Sequence, residues 1–245
     1  MGVRALSATL LRLDRVAFAF AATEVLRELS LEVRRGEFVA VVGPSGCGKT
    51  TLLSLCSGFL RPSAGTLERS GSLRMVFQQD GLFPWLTVAE NIRLGLRHLQ
   101  DEAARGRRAE ALLALIGLAE FAGHYPHQLS GGMRQRVELA RAIGGDTDLL
   151  LMDEPFSSLD YLTRLRMRAE LARLLHEQPR TVVLVTHDIE EAAQLADRVL
   201  VLSDRPTRIR DEVPLVAPRP RQPTSPEVVQ AVHRILLELG LETET

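Results

Sequence analysis

Residues Gly43-Pro44-Ser45-Gly46-Cys47-Gly48-Lys49-Thr50 form a turn that few folds can house. Before it runs a short apolar, β-branched stretch, Phe38 to Val42, and after it Thr51-Leu52-Leu53 open a helical pattern. Glycines let the backbone wrap tightly without Cβ clashes. Backbone N–H groups and the positive end of the following helix then converge on one point. The pattern G-x-x-x-x-G-K-[ST] is met at every fixed position. An anion of phosphate type is therefore expected against Gly43, Pro44, Ser45, Gly46, Cys47, Gly48, Lys49, Thr50 and Thr51.

The rest of the chain supplies the sheet that such a turn requires. Four short apolar runs, Val39 to Val42, Leu149 to Met152, Val182 to Val185 and Val199 to Leu202, are separated by longer segments of helical spacing. That is the pattern of buried parallel strands joined by crossover helices. Leu29, Leu31 and Val33 alternate with Ser30, Glu32 and Arg34 before the turn at Gly36, so an antiparallel meander is expected at the start. Between Thr87 and Asp146 Ala, Leu, Arg and Glu dominate, and Leu112, Leu113, Leu115, Ile116 and Leu118 give helix periodicity, which predicts an inserted helical subdomain. The tail carries Pro206, Pro214, Pro218, Pro220, Pro223 and Pro226 and is expected to be irregular up to an amphipathic helix over about 227–239, packed on the body. Its arginines Arg205, Arg208, Arg210, Arg219 and Arg221 read as a solvated surface.

Composition excludes several partners. Thirty basic against 31 acidic side chains leave a net charge of −1, so no overall field draws the chain to nucleic acid or an anionic bilayer. No apolar run approaches the roughly 18 to 20 residues that cross a membrane. Two cysteines, Cys47 and Cys56, make no disulfide framework and lack metal-ligand spacing, and no secretory leader is read at the start, which suits a reducing cytoplasm.

The chemistry follows from the strand ends. Lys49 is expected to bridge the β- and γ-phosphates of a nucleotide, and the Thr50 hydroxyl to ligate Mg²⁺. The strand through Met152 ends in Asp153-Glu154. In open α/β sheets strand ends are where ligands sit. Asp153 is expected to hold the Mg²⁺ through water, and Glu154 to polarise the water that attacks the γ-phosphate. The strand through Val185 delivers Thr186-His187-Asp188 to the same edge.

With these residues in place, Leu129-Ser130-Gly131-Gly132-Met133-Arg134-Gln135-Arg136 resembles the signature sequence of the ATP-binding-cassette (ABC) transporter nucleotide-binding subunits. The resemblance implies an α/β fold, a RecA-like P-loop NTPase with a mostly parallel sheet core, an N-terminal antiparallel β subdomain and an inserted α-helical subdomain. The implied domain is a single unit over 10–240, with an ATP-binding core at about 10–86 and 148–202, a helical signature subdomain at 87–147 and a tail at 203–245. Ser130, Gly131 and Gly132 before a helix make a second anion-receptive helix start, while the chain already owns a phosphate site. A second half-site needs a second nucleotide. The family resolves this with a head-to-tail homodimer that sandwiches two ATP molecules.

The resemblance extends residue by residue. Phe20 matches the aromatic that stacks on adenine, with Phe18 a neighbouring candidate. Gln78 matches the glutamine that reaches Mg²⁺ and the attacking water, with Gln79 beside it leaving a one-residue ambiguity. Asp160 closes Ser157-Ser158-Leu159-Asp160, which resembles the loop that crosses between protomers, and His187 matches the histidine that contacts the γ-phosphate. ATP and Mg²⁺ are the implied cofactors. The implied partners are a second copy, membrane permease subunits and, indirectly, an external solute-binding protein, at the cytoplasmic face of the membrane. Phe83-Pro84-Trp85-Leu86-Thr87-Val88 and Ser203-Asp204-Arg205-Pro206-Thr207-Arg208-Ile209 are similar to the branch that imports nitrate, taurine and alkanesulfonates. Trp85, the one tryptophan, is expected near the groove that accepts a permease helix. A cassette detached from transport and a phosphate-loop kinase are the competing readings; the first lacks coiled-coil insertions here, and the second leaves the signature sequence unexplained.

Overall fold

The computed structural model describes residues 8–77, 81–177 and 179–241. Two strands open it, β1 (Thr9–Phe20) and β2 (Thr23–Arg34), followed by β3 (Phe38–Val42), α1 (Lys49–Ser57), β4 (Ala64–Arg69) and β5 (Leu73–Val76). Helices α2 (Val88–Gly95), α3 (Glu102–Leu115) and α4 (Gly131–Gly144) come next. The chain then alternates through β6 (Leu149–Asp153), α5 (Tyr161–Glu177), β7 (Thr181–Val185), α6 (Ile189–Leu195), β8 (Arg198–Leu202) and β9 (Ile209–Pro214), ending in α7 (Pro226–Glu238). Six strands form the main sheet in the order β5-β6-β7-β3-β8-β9, while β2-β1-β4 form a small antiparallel sheet. All pairings of the main sheet are parallel except that of the edge strand β9.

Strand pleating decides what each face of the main sheet meets. Successive side chains point to opposite faces. Phe38, Ala40, Val42, Leu150, Met152, Val182, Leu184, Val199 and Val201 join the core built with α2 to α7. Their neighbours Val39, Val41, Leu149, Leu151, Val183, Val185, Leu200 and Leu202 join the core built with α1 and the small sheet. Every residue of β3, β6 and β7 is buried, which is why these runs read as continuously apolar rather than alternating. Burying one such Val, Leu or Phe is worth about 1.5–3 kcal/mol. In β2, by contrast, Leu29, Leu31 and Val33 are buried while Ser30, Glu32 and Arg34 are exposed, as the alternation predicts for a sheet with one wet face.

The tail departs from expectation. Residues 209–214 are a strand, paired antiparallel with β8 from Leu202 opposite Ile209 to Arg198 opposite Pro214, with a register shift between Val201 and Leu202. Pro214 sits at the end of an edge strand, where its missing N–H costs no interior ladder bond. Nor are the arginines merely solvated. Arg221 is buried and donates to the carbonyls of Ala217, Gln194, Ala196 and Leu215. Arg219 donates to the Leu195 carbonyl at 2.8 Å and lies 5.6 Å over the Phe38 ring. Arg208 pairs with Glu28 at 2.6 Å. Helix α7 packs on α6 and β9, burying Val228, Ala231 and Ile235.

Candidate functional site

Because β6, β7, β3 and β8 are parallel neighbours, their C-terminal ends share one edge of the sheet. The turn 43–48 leaves β3 at that edge, flanked by the ends of β7 and β8. Gly46 and Gly48 hold φ of 75° and 117°, a region L-residues rarely adopt, so the turn needs glycine at both. Gly48 is doubly constrained: a Cβ there would lie 2.7 Å from Val25 Cγ1. Helix α1 begins on Gly48 with no side-chain cap, so its first turn offers N–H groups that the helix itself cannot satisfy. Lys49 is buried across the turn, its Nζ donating to the Gly43 and Pro44 carbonyls at 2.8 Å each.

Asp153 ends β6 and is also buried. Burial pushes its carboxyl up; the Thr50 hydroxyl bonded to it pulls down, Glu154 pushes up and Lys49 pulls down, with a net rise. A buried acid beside a second acid and a hydroxyl is a setting that a hard cation would relieve. The donors fit Mg²⁺, which binds through one or two protein oxygens plus waters and phosphates. Among the described residues no cluster of three or more His, Cys, Asp or Glu could form an all-protein metal cage.

Glu154 occupies the left-handed region at φ 47°, which costs a non-glycine residue on the order of 1 kcal/mol or more. Its surroundings hold it there. The Glu154 N–H donates to the Val185 carbonyl at 2.9 Å, and its carbonyl accepts from Gln135 Nε2 and Ser157 Oγ at 3.0 Å each. The carboxylate reaches His187, with Oε2 3.2 Å from Nδ1. Next to His187 in the chain, Thr186 Oγ1 donates to Glu191 at 3.0 Å, and Arg168 pairs with both Asp188 and Glu191. Burial raises the Asp188 carboxyl, but the Glu191 N–H and the Arg168 charge outweigh it and leave it low. Burial pushes Glu191 up to about 8 despite Arg168.

The other sequence candidates fall elsewhere. Ser130 caps α4, accepting from the Met133 N–H at 3.3 Å, and both Ser130 and Gly131 are exposed. A Cβ on Gly132 would come within 3.1 Å of the Ser158 carbonyl, so the start of α4 is packed on the loop after Glu154. Asp160 caps α5 by accepting from Thr163 N–H at 3.0 Å, and the Thr163 hydroxyl together with that N–H holds its carboxyl low. Phe20 is 53% exposed with its ring edge-on to Phe18, 4.8 Å between centroids, whereas Phe18 is buried in the core. Only Phe20 of the two offers a face to a ligand. Gln78 and Gln79 lie outside the described residues. Trp85 is 69% exposed and tilted against Phe83 at 5.4 Å.

Sequence reasoning missed the residues that brace these loops. The buried Glu138 of α4 accepts from both Phe77 N–H and Gly81 N–H at 3.1 Å, clasping the two ends of the segment that contains Gln78. Gln135 joins α4 to Glu154 and to the Ser158 N–H. Asn91, fully buried, donates to the carbonyls of Phe83, Leu86 and Thr87 and fixes the loop bearing Trp85. The available signal was polar residues on helix faces that should be apolar.

A family model described as ABC transporter matches residues 26–157. The chain belongs to the ABC transporter family. An aliphatic sulfonates import ATP-binding protein of Nocardia farcinica is 47% identical over 226 residues, 92% of this chain and 89% of that protein. A taurine import ATP-binding protein of Pelagibacter ubique is 44% identical over 196 residues, 76% of this chain and 74% of its own length. Among solved structures, a dimeric bacterial ABC transporter cassette aligns at TM-score 0.75 with 32% identity, covering 84% of this chain and 99% of that one. A second dimeric cassette structure, in a post-hydrolysis state bound to ADP and Pi, aligns at TM-score 0.74. The chain is an ABC ATPase, and the fold is that of a P-loop NTPase cassette. Among the described residues of the cassette, no helix is long and apolar enough to cross a membrane.

Proposed function

We propose that this cassette, paired with a second copy and docked at the cytoplasmic face on membrane permease subunits, hydrolyses ATP to drive import of a small solute of sulfonate, taurine or nitrate type. The observation that carries the reading is the shared sheet edge, where one strand end presents Lys49 and Thr50, the next Asp153 and Glu154, and a third His187. The importer branch is supported by the two curated relatives above.

In this reading the adenine base stacks on Phe20, and the phosphates lie along 43–51. Lys49 turns from the Gly43 and Pro44 carbonyls to the β- and γ-phosphates, a charge-assisted exchange. Thr50 and Asp153, with Gln78, would hold a Mg²⁺ whose positive charge offsets that of the phosphates. Glu154 accepts the proton of the attacking water. His187, already within hydrogen-bond reach of Glu154, orients the γ-phosphate end. Ser130, Gly131 and Gly132 of the partner copy close on that γ-phosphate, and Asp160 lies in the loop that crosses between copies. The external solute-binding protein acts through the permease; nucleic acid has no part.

The test is reconstitution with a permease and a solute-binding protein of this importer branch. Taurine or an alkanesulfonate is expected to raise ATP turnover. Stimulation by an unrelated solute alone would overturn the cargo, and none by any solute would detach the cassette from import.

A further inference from the structure

We propose that Thr207 is a positioning residue of the phosphate loop, fixing the Cys47–Gly48 peptide so that the Gly48 N–H faces the bound phosphates. The proposal rests on the nucleotide-site reading above and adds a residue from outside its motifs. Thr207 lies in the segment between β8 and β9 and is fully buried. Its hydroxyl donates to the carbonyl of Cys47, inside the turn that leads into α1. The same residue is tied into the small sheet: Thr207 N–H donates to the Val25 carbonyl at 2.8 Å, and Arg27 N–H donates to the Thr207 carbonyl at 3.0 Å. A short parallel bridge of Leu26 with Thr207 results.

The direction of the effect follows from peptide geometry. In a planar trans peptide the C=O and N–H point to opposite sides. Cys47 C=O and Gly48 N–H belong to one such unit. A hydroxyl that holds the carbonyl on the side of β2 therefore sends the Gly48 N–H to the other side. Gly48 sits at φ 117° and has no side chain of its own with which to fix that peptide. Backbone N–H groups are what such loops offer to phosphates. Rigidity also comes from packing, because Val25 and Leu26 leave no space for a Cβ at Gly48. Thr207 thus joins three elements at one point: β2, the segment after β8 and the start of α1. The hairpin of β1 and β2 also carries Phe20 opposite Thr23, so the aromatic platform and the phosphate loop share this anchor.

Removing the hydroxyl while keeping the shape tests this. Thr207→Val is expected to weaken MgADP and MgATP binding about tenfold, as befits a buried carbonyl left without its donor. Thr207→Ser, which restores the donor and loses only a methyl, is expected to bind within about twofold of the parent. In amide NMR spectra of the full chain, the Gly48 resonance is expected to move in Thr207→Val and to lose its response to MgADP. Parental affinity in Thr207→Val, or equal weakening in both variants, would overturn the proposal, the latter by showing that packing alone matters. Should Thr207→Val not fold, the parent decides: Gly48 amide exchange is expected to slow strongly on MgADP binding, and no slowing would refute the assignment. If Lys49→Ala weakens binding strongly while Thr207→Val does not, the nucleotide site stands and the positioning role of Thr207 falls. If the parent itself binds no MgADP, both fall.

Discussion

Two helices in this cassette begin at an anion-receptive turn, and they are built in opposite ways. Helix α1 starts on a buried glycine with no side-chain cap, its turn open at Ser45 and Gly46 and braced from beneath by the buried Lys49 on the Gly43 and Pro44 carbonyls. Helix α4 starts on an exposed serine that caps itself, accepting from Met133 N–H. Their settings differ too: α1 packs on β6 and β7, α4 on α2, α3 and β5. An uncapped start inside a rigid turn is prepared to hold a ligand by itself. A self-capped start at the surface, packed on one side by the loop after Glu154, has a hydroxyl to lend but no turn wrapped around it. In the proposed dimer the first is a complete phosphate cradle, and the second becomes a site only when another copy brings a nucleotide to it.

The sharpest way to break that contrast is at the chemistry between them. Glu154→Gln is expected to lower ATP turnover by at least about 100-fold, the scale of a lost general base, while ATP still binds and holds two copies together. Turnover at the parental rate would remove Glu154 from its role. Lys49→Ala, acting on the buried start alone, is expected to weaken ATP binding by about 100-fold, since charged hydrogen bonds to phosphate are lost. Unchanged affinity in a binding titration would contradict this. Ser130→Ala, acting on the exposed start, is expected to leave ATP affinity of dilute protein unchanged, cut turnover about tenfold and cost about 1 kcal/mol as a lost helix cap. Equal loss of affinity in dilute protein would mean that the two starts serve one site within one copy.

Smaller effects sharpen the picture of the edge that the γ-phosphate meets. Glu191 is buried against Thr186, next to His187 in the chain, its carboxyl raised from its ordinary 4.5 to about 8 by burial against the pull of Arg168. A carboxyl with a raised folded pKa contributes stability that is full below its unfolded pKa and is lost as pH rises through the folded value. The parent is therefore expected to lose stability between pH 4.5 and about 8 from this group, and Glu191→Gln to flatten that slope. Urea midpoints at the two ends of that window check it; parallel slopes would refute it. Trp85→Ala is expected to change stability by no more than about 0.5 kcal/mol, because the ring is mostly exposed, and to reduce turnover only when the permease is present. A large loss in the isolated chain would place Trp85 in the fold rather than at a docking face.

How much of this could be read in the sequence varies with the physics involved. Buried parallel strands announce themselves as unbroken apolar runs, and the turn 43–50 is legible because only glycine tolerates its backbone. Asp153, Glu154 and His187 were legible as polar residues placed at or just beyond the ends of such runs. The tail was not, since Pro206 and Pro214 bracket a short strand whose pairing with β8 depends on a partner distant in sequence. Arg219 and Arg221 were misread for a related reason: a guanidinium that satisfies buried carbonyls looks the same in a sequence as one in water. Glu138, Gln135 and Asn91 showed only as polar residues on helix faces that should be apolar, and which groups they brace is set by the folded chain. Thr207 is the clearest such case, one hydroxyl joining residues 160 positions apart.

The claim that the exposed start of α4 completes the site of another copy is tested most directly by dilution. ATP turnover per molecule of the purified chain, measured across a wide concentration series at saturating MgATP, is expected to rise with protein concentration and level off as pairs form. Turnover per molecule that stays constant down to the most dilute sample would show that one copy suffices and would contradict the account.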